Sequence, residues 1–259
     1  MATEGMATSG HDKERAFWGD YARRKEISDT KLKVRSDYRS YFGSGRFAEG
    51  EDLVETLGDI RGKRLLECGC GTGWVSVLFA RAGAEVWSFD ITKEMVDLAR
   101  RVAAVNDLGD RIHPEEMIFE SMTYPDNFFD YAVGFGVLHH VELEGSRDEV
   151  YRVLKPGGVA IFNEPLGHNF LLEFARKYLP YPNKEGHATD IPLKMKDIAL
   201  FAELFARYTV APYYLFSMIE QALWPADAGL SPEAAERGPG EAFSVAGSYY
   251  RMAMIAPYE

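Results

Sequence analysis

The chain has 259 residues, with 29 lysines and arginines against 40 aspartates and glutamates, a formal charge of −11 at neutral pH. A chain of this length with 46% hydrophobic and 27% charged residues can bury one large core or two small ones, which excludes a disordered or fibrous protein. The acidic balance argues against nonspecific nucleic-acid binding, two cysteines are too few for a stapled secreted scaffold, and no apolar run approaches the ~18 residues of a membrane span.

Residues 1–12 read as a flexible tail without the charged head and apolar stretch of a signal peptide, which predicts a cytoplasmic protein. From Lys13 onward dense charges interleave with Phe17, Trp18, Tyr21, Ile27, Leu32, Val34 and Tyr38, the pattern of one or two amphipathic helices. Gly43-Ser44-Gly45 breaks it, and a short helix follows to Leu57. The pattern then alternates. Strands are predicted over 63–68, 84–90, 116–121, 129–135 and 159–163, with helices over 74–82, 92–106 (Thr92 as its N-cap) and 147–154. Lys155-Pro156-Gly157-Gly158 reads as the stop after the last of these helices. A final hairpin is expected between 207–215 and 248–255, with a mobile loop over 225–243.

Strands alternating with helices imply an α/β doubly wound, mostly parallel sheet, in which ligands bind beyond the carboxyl ends of the strands. Glu67-Cys68-Gly69-Cys70-Gly71-Thr72-Gly73 sits at such an end. Its glycines let the backbone turn tightly and approach a ligand. Two ligand classes use such a loop, dinucleotides and S-adenosylmethionine. The dinucleotide fingerprint G-x-G-x-x-G is not met, because Trp74 stands where its third glycine belongs, and the Gly-Lys-Ser/Thr ending of a phosphate loop is missing. Asp90 ends the second strand, where an acid can accept hydrogen bonds from both ribose hydroxyls. Cys68 and Cys70 lie one residue apart on one strand face, where a bridge would be strained, and read as two small buried thiols.

Leu65-Leu66-Glu67-Cys68-Gly69-Cys70-Gly71-Thr72-Gly73, Phe89-Asp90-Ile91-Thr92-Lys93-Glu94-Met95, Tyr124-Pro125-Asp126-Asn127-Phe128-Phe129-Asp130, Val137-Leu138-His139-His140 and Val153-Leu154-Lys155-Pro156-Gly157-Gly158 follow one another in this order. Together they resemble the motif series of class I S-adenosylmethionine-dependent methyltransferases, and more narrowly the bacterial small-molecule group called methyltransferase type 11. The resemblance implies a Rossmann-like, seven-stranded sheet with the last strand antiparallel. It implies a helical lid over 13–58 and a cofactor-binding catalytic domain over 59–259, with an insertion at 166–206. By the same resemblance the loop Gly69, Cys70, Gly71 and Gly73 passes under the methionine end of the cofactor, with Glu67 close by. Asp90 would bind the ribose, and Ile91 and Met95 would pack near the adenine. Ile118 and Phe119 stand where the family has an acid–small pair on the adenine edge, so Glu120 or a backbone amide is expected to substitute. Phe135 and Gly136 would offer backbone oxygens to the methionine ammonium.

On the acceptor side, methyl transfer is an in-line displacement in which a proton has to leave some nucleophiles, a task for an imidazole or carboxylate. His139 and His140 follow the fourth strand, Glu164 and His168 the fifth. Each has a structural alternative: one histidine capping the next turn, Glu164 paired or exposed, His168 held in a turn. Adjacent residues of an extended segment point opposite ways, so only one histidine should reach the acceptor. His140 is favoured, with His139 packing back against the sheet. Phe17, Trp18, Tyr21, Tyr38, Tyr41 and Phe42 form either a lid or a core-facing stripe. Such a supply of aromatic residues suits an apolar or aromatic acceptor. The expected function is methylation of a small molecule, with no nucleic acid, membrane or metal involved and the oligomeric state open. The alternatives are an S-adenosylmethionine-binding regulator or cyclase and, less so, an NAD-dependent oxidoreductase.

Overall fold

Five apolar segments, each closed by a glycine-rich or polar turn, build the parallel part of a seven-stranded sheet. They are β1 (Arg64–Cys68), β2 (Glu85–Asp90), β3 (Ile112–Glu116), β4 (Phe129–Phe135) and β5 (Leu154–Pro165), joined by β6 (Arg207–Tyr213) and β7 (Tyr249–Ile255). The strand order is β3-β2-β1-β4-β5-β7-β6, and β7 runs antiparallel to both of its neighbours, as in the pair Phe162 and Met252. In this computed structural model the residues described are 10–24, 32–38, 48–165, 192–213 and 249–257. His168, Tyr41, Phe42, the loop 225–243 and most of the insertion 166–206 lie outside them.

Six helices accompany the strands: α1 (Gly10–Arg24), α2 (Ala48–Leu57), α3 (Trp74–Arg81), α4 (Lys93–Val105), α5 (Leu143–Val153) and α6 (Met195–Ala202). Successive strand side chains point to opposite faces, so each strand feeds two cores. Leu65, Val86, Val133 and Ile161 pack with Leu53 and Leu57 of α2, Val77 and Leu78 of α3 and Val102 of α4. Leu66, Phe89, Ala132 and Phe162 pack on the other face with Val150 and Val153 of α5 and Ile198 and Phe201 of α6. Both core faces are therefore covered, as near-continuous apolar strands require. Among the described residues, no helix is long and apolar enough to cross a membrane.

Three elements differ from the sequence expectation, each for a local reason. β3 lies over Ile112–Glu116 rather than 116–121, because Pro114 sits inside it, paired in register with Ser88. A proline normally argues against a strand, but β3 is the sheet edge, where one unpaired backbone position is tolerated. The 116–121 stretch turns away from the sheet, with Met117 and Phe119 buried as plugs. α5 starts at Leu143 instead of 147, because Glu142 caps it, its carboxylate accepting the Glu144 and Gly145 amides at 2.9 and 2.7 Å. β5 takes in Leu154 and the Lys155-Pro156-Gly157-Gly158 run that reads as a stop, through an irregular register between Phe129 and Tyr131. The terminal hairpin forms where expected, with Thr209 opposite Ala253. Strand order reverses between β1 and β4, so a crevice opens beyond their carboxyl ends.

Candidate functional site

The first half of the site is the loop leaving β1. The Cys70 amide donates to the Phe89 carbonyl at 2.8 Å, which ties the loop to β2. The Gly71 amide donates to Asp90 Oδ2 at 3.0 Å, while Asp90 Oδ1 accepts the Thr92 amide and hydroxyl, both at 3.0 Å. The half-buried Asp90 carboxylate thus holds the loop and the start of α4 in one geometry. Burial pushes its carboxyl above the ordinary aspartate range, against the lowering effect of the Thr92, Gly71 and Ile91 hydrogen bonds. Gly71 has φ +49°, and no atom lies within 4 Å of the place a Cβ would take, so the loop leaves open space there. Gly69 instead lies against Val137, beyond β4.

Under the loop, Glu67 is 3% exposed and accepts a hydrogen bond from the Ser76 hydroxyl of α3. Desolvation pushes its carboxyl up to about 8. Cys68 and Cys70 are both buried thiols, raised well above the usual range by the same desolvation. They therefore do not present a nucleophile.

The second half lies beyond β4 and β5. Glu164 shares a strand face with Phe162 and is fully buried, yet none of its oxygens is idle. Oε1 accepts the Val137 and Leu138 amides at 2.8 and 2.9 Å, and Oε2 lies 2.7 Å from His139 Nδ1. The carboxylate thereby fixes the turn after β4 and the His139 ring together. That turn is helical over Leu138–His140, not extended, which corrects the expectation that the two histidines point opposite ways. Their rings lie 3.9 Å apart at 42° and stack. His139 does pack back onto the sheet, through Glu164. His140 faces α1 instead: its Nδ1 is 3.5 Å from Glu14 Oε2, and the Trp18 ring meets its edge at 5.8 Å.

The remaining expected residues separate. Met95 is buried in the first turn of α4, whose Thr92 cap forms as expected, and half-buried Ile91 gives its carbonyl to Arg15 Nε of α1 at 3.1 Å. Phe119 turns into the core against Phe89 and Phe162, so at that position only the backbone remains for a ligand, beside half-buried Ile118. Glu120 accepts the Glu142 amide at 2.8 Å and lies 3.2 Å from His11, which ties it to neighbouring segments. The Gly136 amide donates to Asn163 at 2.8 Å, joining Phe135 and Gly136 to β5. The aromatic set divides: Tyr38 is core, 5.5 Å from Phe79, whereas Trp18 borders His140. Sequence reasoning missed Glu14, which is 4% exposed. The available signal was its spacing of four residues from Trp18, which puts both on one helix face.

Residues 66–162 match the profile of a methyltransferase domain family. Demethylmenaquinone methyltransferase of Clavibacter sepedonicus is 33% identical over 43% of this chain and 44% of its own length. Sterol 24-C-methyltransferase of Yarrowia lipolytica is 30% identical over 61% of this chain and 48% of its own. The chain thus spans less than half the length of these relatives. Among solved structures, geranyl diphosphate C-methyltransferase from Streptomyces coelicolor covers 97% of this chain and 99% of its own at a TM-score of 0.62 and 16% identity, a likeness of fold. S-adenosylmethionine, the cofactor this fold implies, suits the residues at the crevice: an oriented carboxylate for ribose hydroxyls in Asp90, and open space over Gly71. Residues 66–162 belong to the methyltransferase domain family, and around them the chain has the class I S-adenosylmethionine-dependent methyltransferase fold.

Proposed function

We propose that the chain transfers a methyl group from S-adenosylmethionine to a small molecule with a large apolar or aromatic part, with His140 as the base. The observation that carries this reading is the pairing of two preorganised halves across the β1/β4 crevice. One is the Asp90-anchored glycine loop, and the other is the stacked histidine pair anchored by Glu164. The relatives' names, for a demethylmenaquinone, a sterol and geranyl diphosphate, support an acceptor of this kind.

When bound, S-adenosylmethionine supplies an electrophilic methyl group. Asp90 accepts hydrogen bonds from the ribose hydroxyls and so sets the position of the reacting end. Glu164 holds the turn carrying the histidines, and Trp18 on α1 lies beside them to exclude water. His140 takes the acceptor's proton as the new bond forms.

Calorimetry with S-adenosylmethionine, S-adenosylhomocysteine and NAD tests the cofactor. The first two should bind, and NAD far more weakly. Transfer of labelled methyl to a reduced demethylmenaquinone, a sterol and geranyl diphosphate then tests the acceptor class. Tight NAD binding with no heat from S-adenosylmethionine overturns the proposal.

A further inference from the structure

Helix α1 contributes no residue to either buried core, and most of its side chains face solvent. Yet it buries one carboxylate, Glu14. A buried charge costs several kcal/mol unless something compensates it, so its location is informative. Glu14 Oε2 accepts Trp18 Nε1 at 3.1 Å and lies 3.5 Å from His140 Nδ1. The His140 side chain is itself 13% exposed, held between Glu14 and Trp18 on one side and the His139 ring on the other. Three more polar contacts set the height of α1 over the crevice: Arg15 on the Ile91 carbonyl next to Asp90, Arg23 on Glu94 of α4, and His11 on Glu120. The helix is therefore fixed by polar contacts at the carboxyl edge of the sheet, with its single buried acid aimed at the histidine turn.

We propose that Glu14 is a positioning residue of the methyl-transfer site: it orients the His140 imidazole and stabilises the imidazolium that forms there during turnover. This rests on the reading of the chain as a methyltransferase with His140 as base. In the step, the acceptor atom forms its bond to the methyl carbon while the carbon–sulfur bond breaks, the electron pair leaving with sulfur as a neutral thioether. The acceptor's proton passes to His140 Nε2, the ring nitrogen not facing Glu14, and the positive charge moves from sulfur to the imidazole. Glu14 is the nearest carboxylate to that charge on the α1 side. The other groups facing His140 are His139 in the same turn and, behind it, Glu164 of β5. Glu164 is already committed to two amides and His139, so Glu14 serves His140.

The test is Glu14→Gln in the full chain, which keeps the side-chain length and an acceptor for Trp18 but removes the charge. Nitrogen NMR of histidine-labelled protein, followed against pH with S-adenosylhomocysteine as the probe, should show the His140 titration moving to lower pH by about one pH unit. The His139 titration should stay in place. With an acceptor from the panel above, kcat should fall about 10- to 100-fold with KM little changed, and its rising limb should move the same way. Glu14→Asp should restore part of the loss, and Glu14→Gln should have no further effect in a His140→Ala background. An unmoved His140 titration, or a loss in KM alone, overturns the proposal for Glu14. A wild type that does not bind S-adenosylmethionine, or whose His140→Ala variant keeps full activity, overturns the underlying reading instead, while the NMR still measures the Glu14–His140 coupling on its own.

Discussion

Asp90 and Glu67 show how two acids a few ångströms from the same loop are set to different tasks by their surroundings. Asp90 is oriented by amides on both oxygens and can still accept from ligand hydroxyls, since each carboxylate oxygen takes more than one hydrogen bond. Hydrogen bonds to a charged group are worth about 1.5–3 kcal/mol, so Asp90→Ala should weaken cofactor binding about 10- to 150-fold by titration calorimetry. A folded Asp90→Ala protein with normal affinity would place the ribose contact elsewhere. Glu67 sits below the loop with its carboxyl pushed up from 4.5 to about 8. The folded chain then binds a proton that the unfolded chain releases, so stability falls as pH rises from about 4.5 to about 8 and stays low above it. Glu67→Gln removes this titration while its amide can still pair with Ser76. Its melting temperature should exceed that of the wild type at pH ~9, and the gap should close near pH ~4.5, where both side chains are neutral. Parallel melting curves across that range would mean that Glu67 ionises normally.

At the scale of the loop and its helices, Gly71 and Gly73 look alike in sequence but do different jobs. Gly73, at φ +78°, precedes α3, and a Cβ there would come within 2.7 Å of Ala99 Cβ and 2.8 Å of Ala99 Cα on α4. Gly73→Ala adds left-handed strain of about 1–2 kcal/mol to an overpacking cost of about 1–3 kcal/mol, so denaturant unfolding should show a loss of about 2–5 kcal/mol. At Gly71 only the strain applies, about 1–2 kcal/mol, and the methyl group enters the open crevice. Gly71→Ala should therefore lose cofactor affinity more than stability, with calorimetry and unfolding as the paired readouts; the reverse ranking would detach the loop from the ligand. The spacing of these glycines was legible because it serves both packing and ligand approach. The placement of β3 was not, because a strand rule that demotes proline has to know which strand is the edge. Nor was the stacking of His139 and His140 legible, since it depends on Glu164, a residue distant in sequence, drawing two amides into a helical turn. The histidines and Glu164 were found as residue types at strand ends, but the partnership between them is a product of strand order.

At the scale of the whole molecule, the chain divides by the kind of force that holds each part. The sheet and helices α2 to α6 are held by the two apolar cores, which close without any residue of α1. The alternation of strands and helices announces that body in the sequence, because burying both faces of a sheet demands it. Helix α1 is held by polar contacts, from His11, Glu14, Arg15 and Arg23 to groups on the carboxyl edge. Contacts of this kind are individually worth little at an exposed surface. Its resting place over the crevice, and hence the role of Glu14, could not be read from an amphipathic pattern that names no partner. The division predicts separable consequences for a chain lacking residues 1–24. Unfolding should stay cooperative, with stability lowered by no more than about 1–2 kcal/mol, since only surface polar contacts and no core side chains are lost. Affinity for S-adenosylmethionine should fall by only a few-fold, because Asp90 and the glycine loop keep their mutual hydrogen bonds. Methyl transfer should fall far more, about 100-fold or beyond, since the deletion removes the cover that excludes water and the carboxylate beside His140 together. Circular dichroism, calorimetry and labelled-methyl transfer on the same preparation separate the three quantities. A truncated chain that unfolds outright would make α1 part of the fold, and one that turns over at the full rate would leave the crevice complete without it.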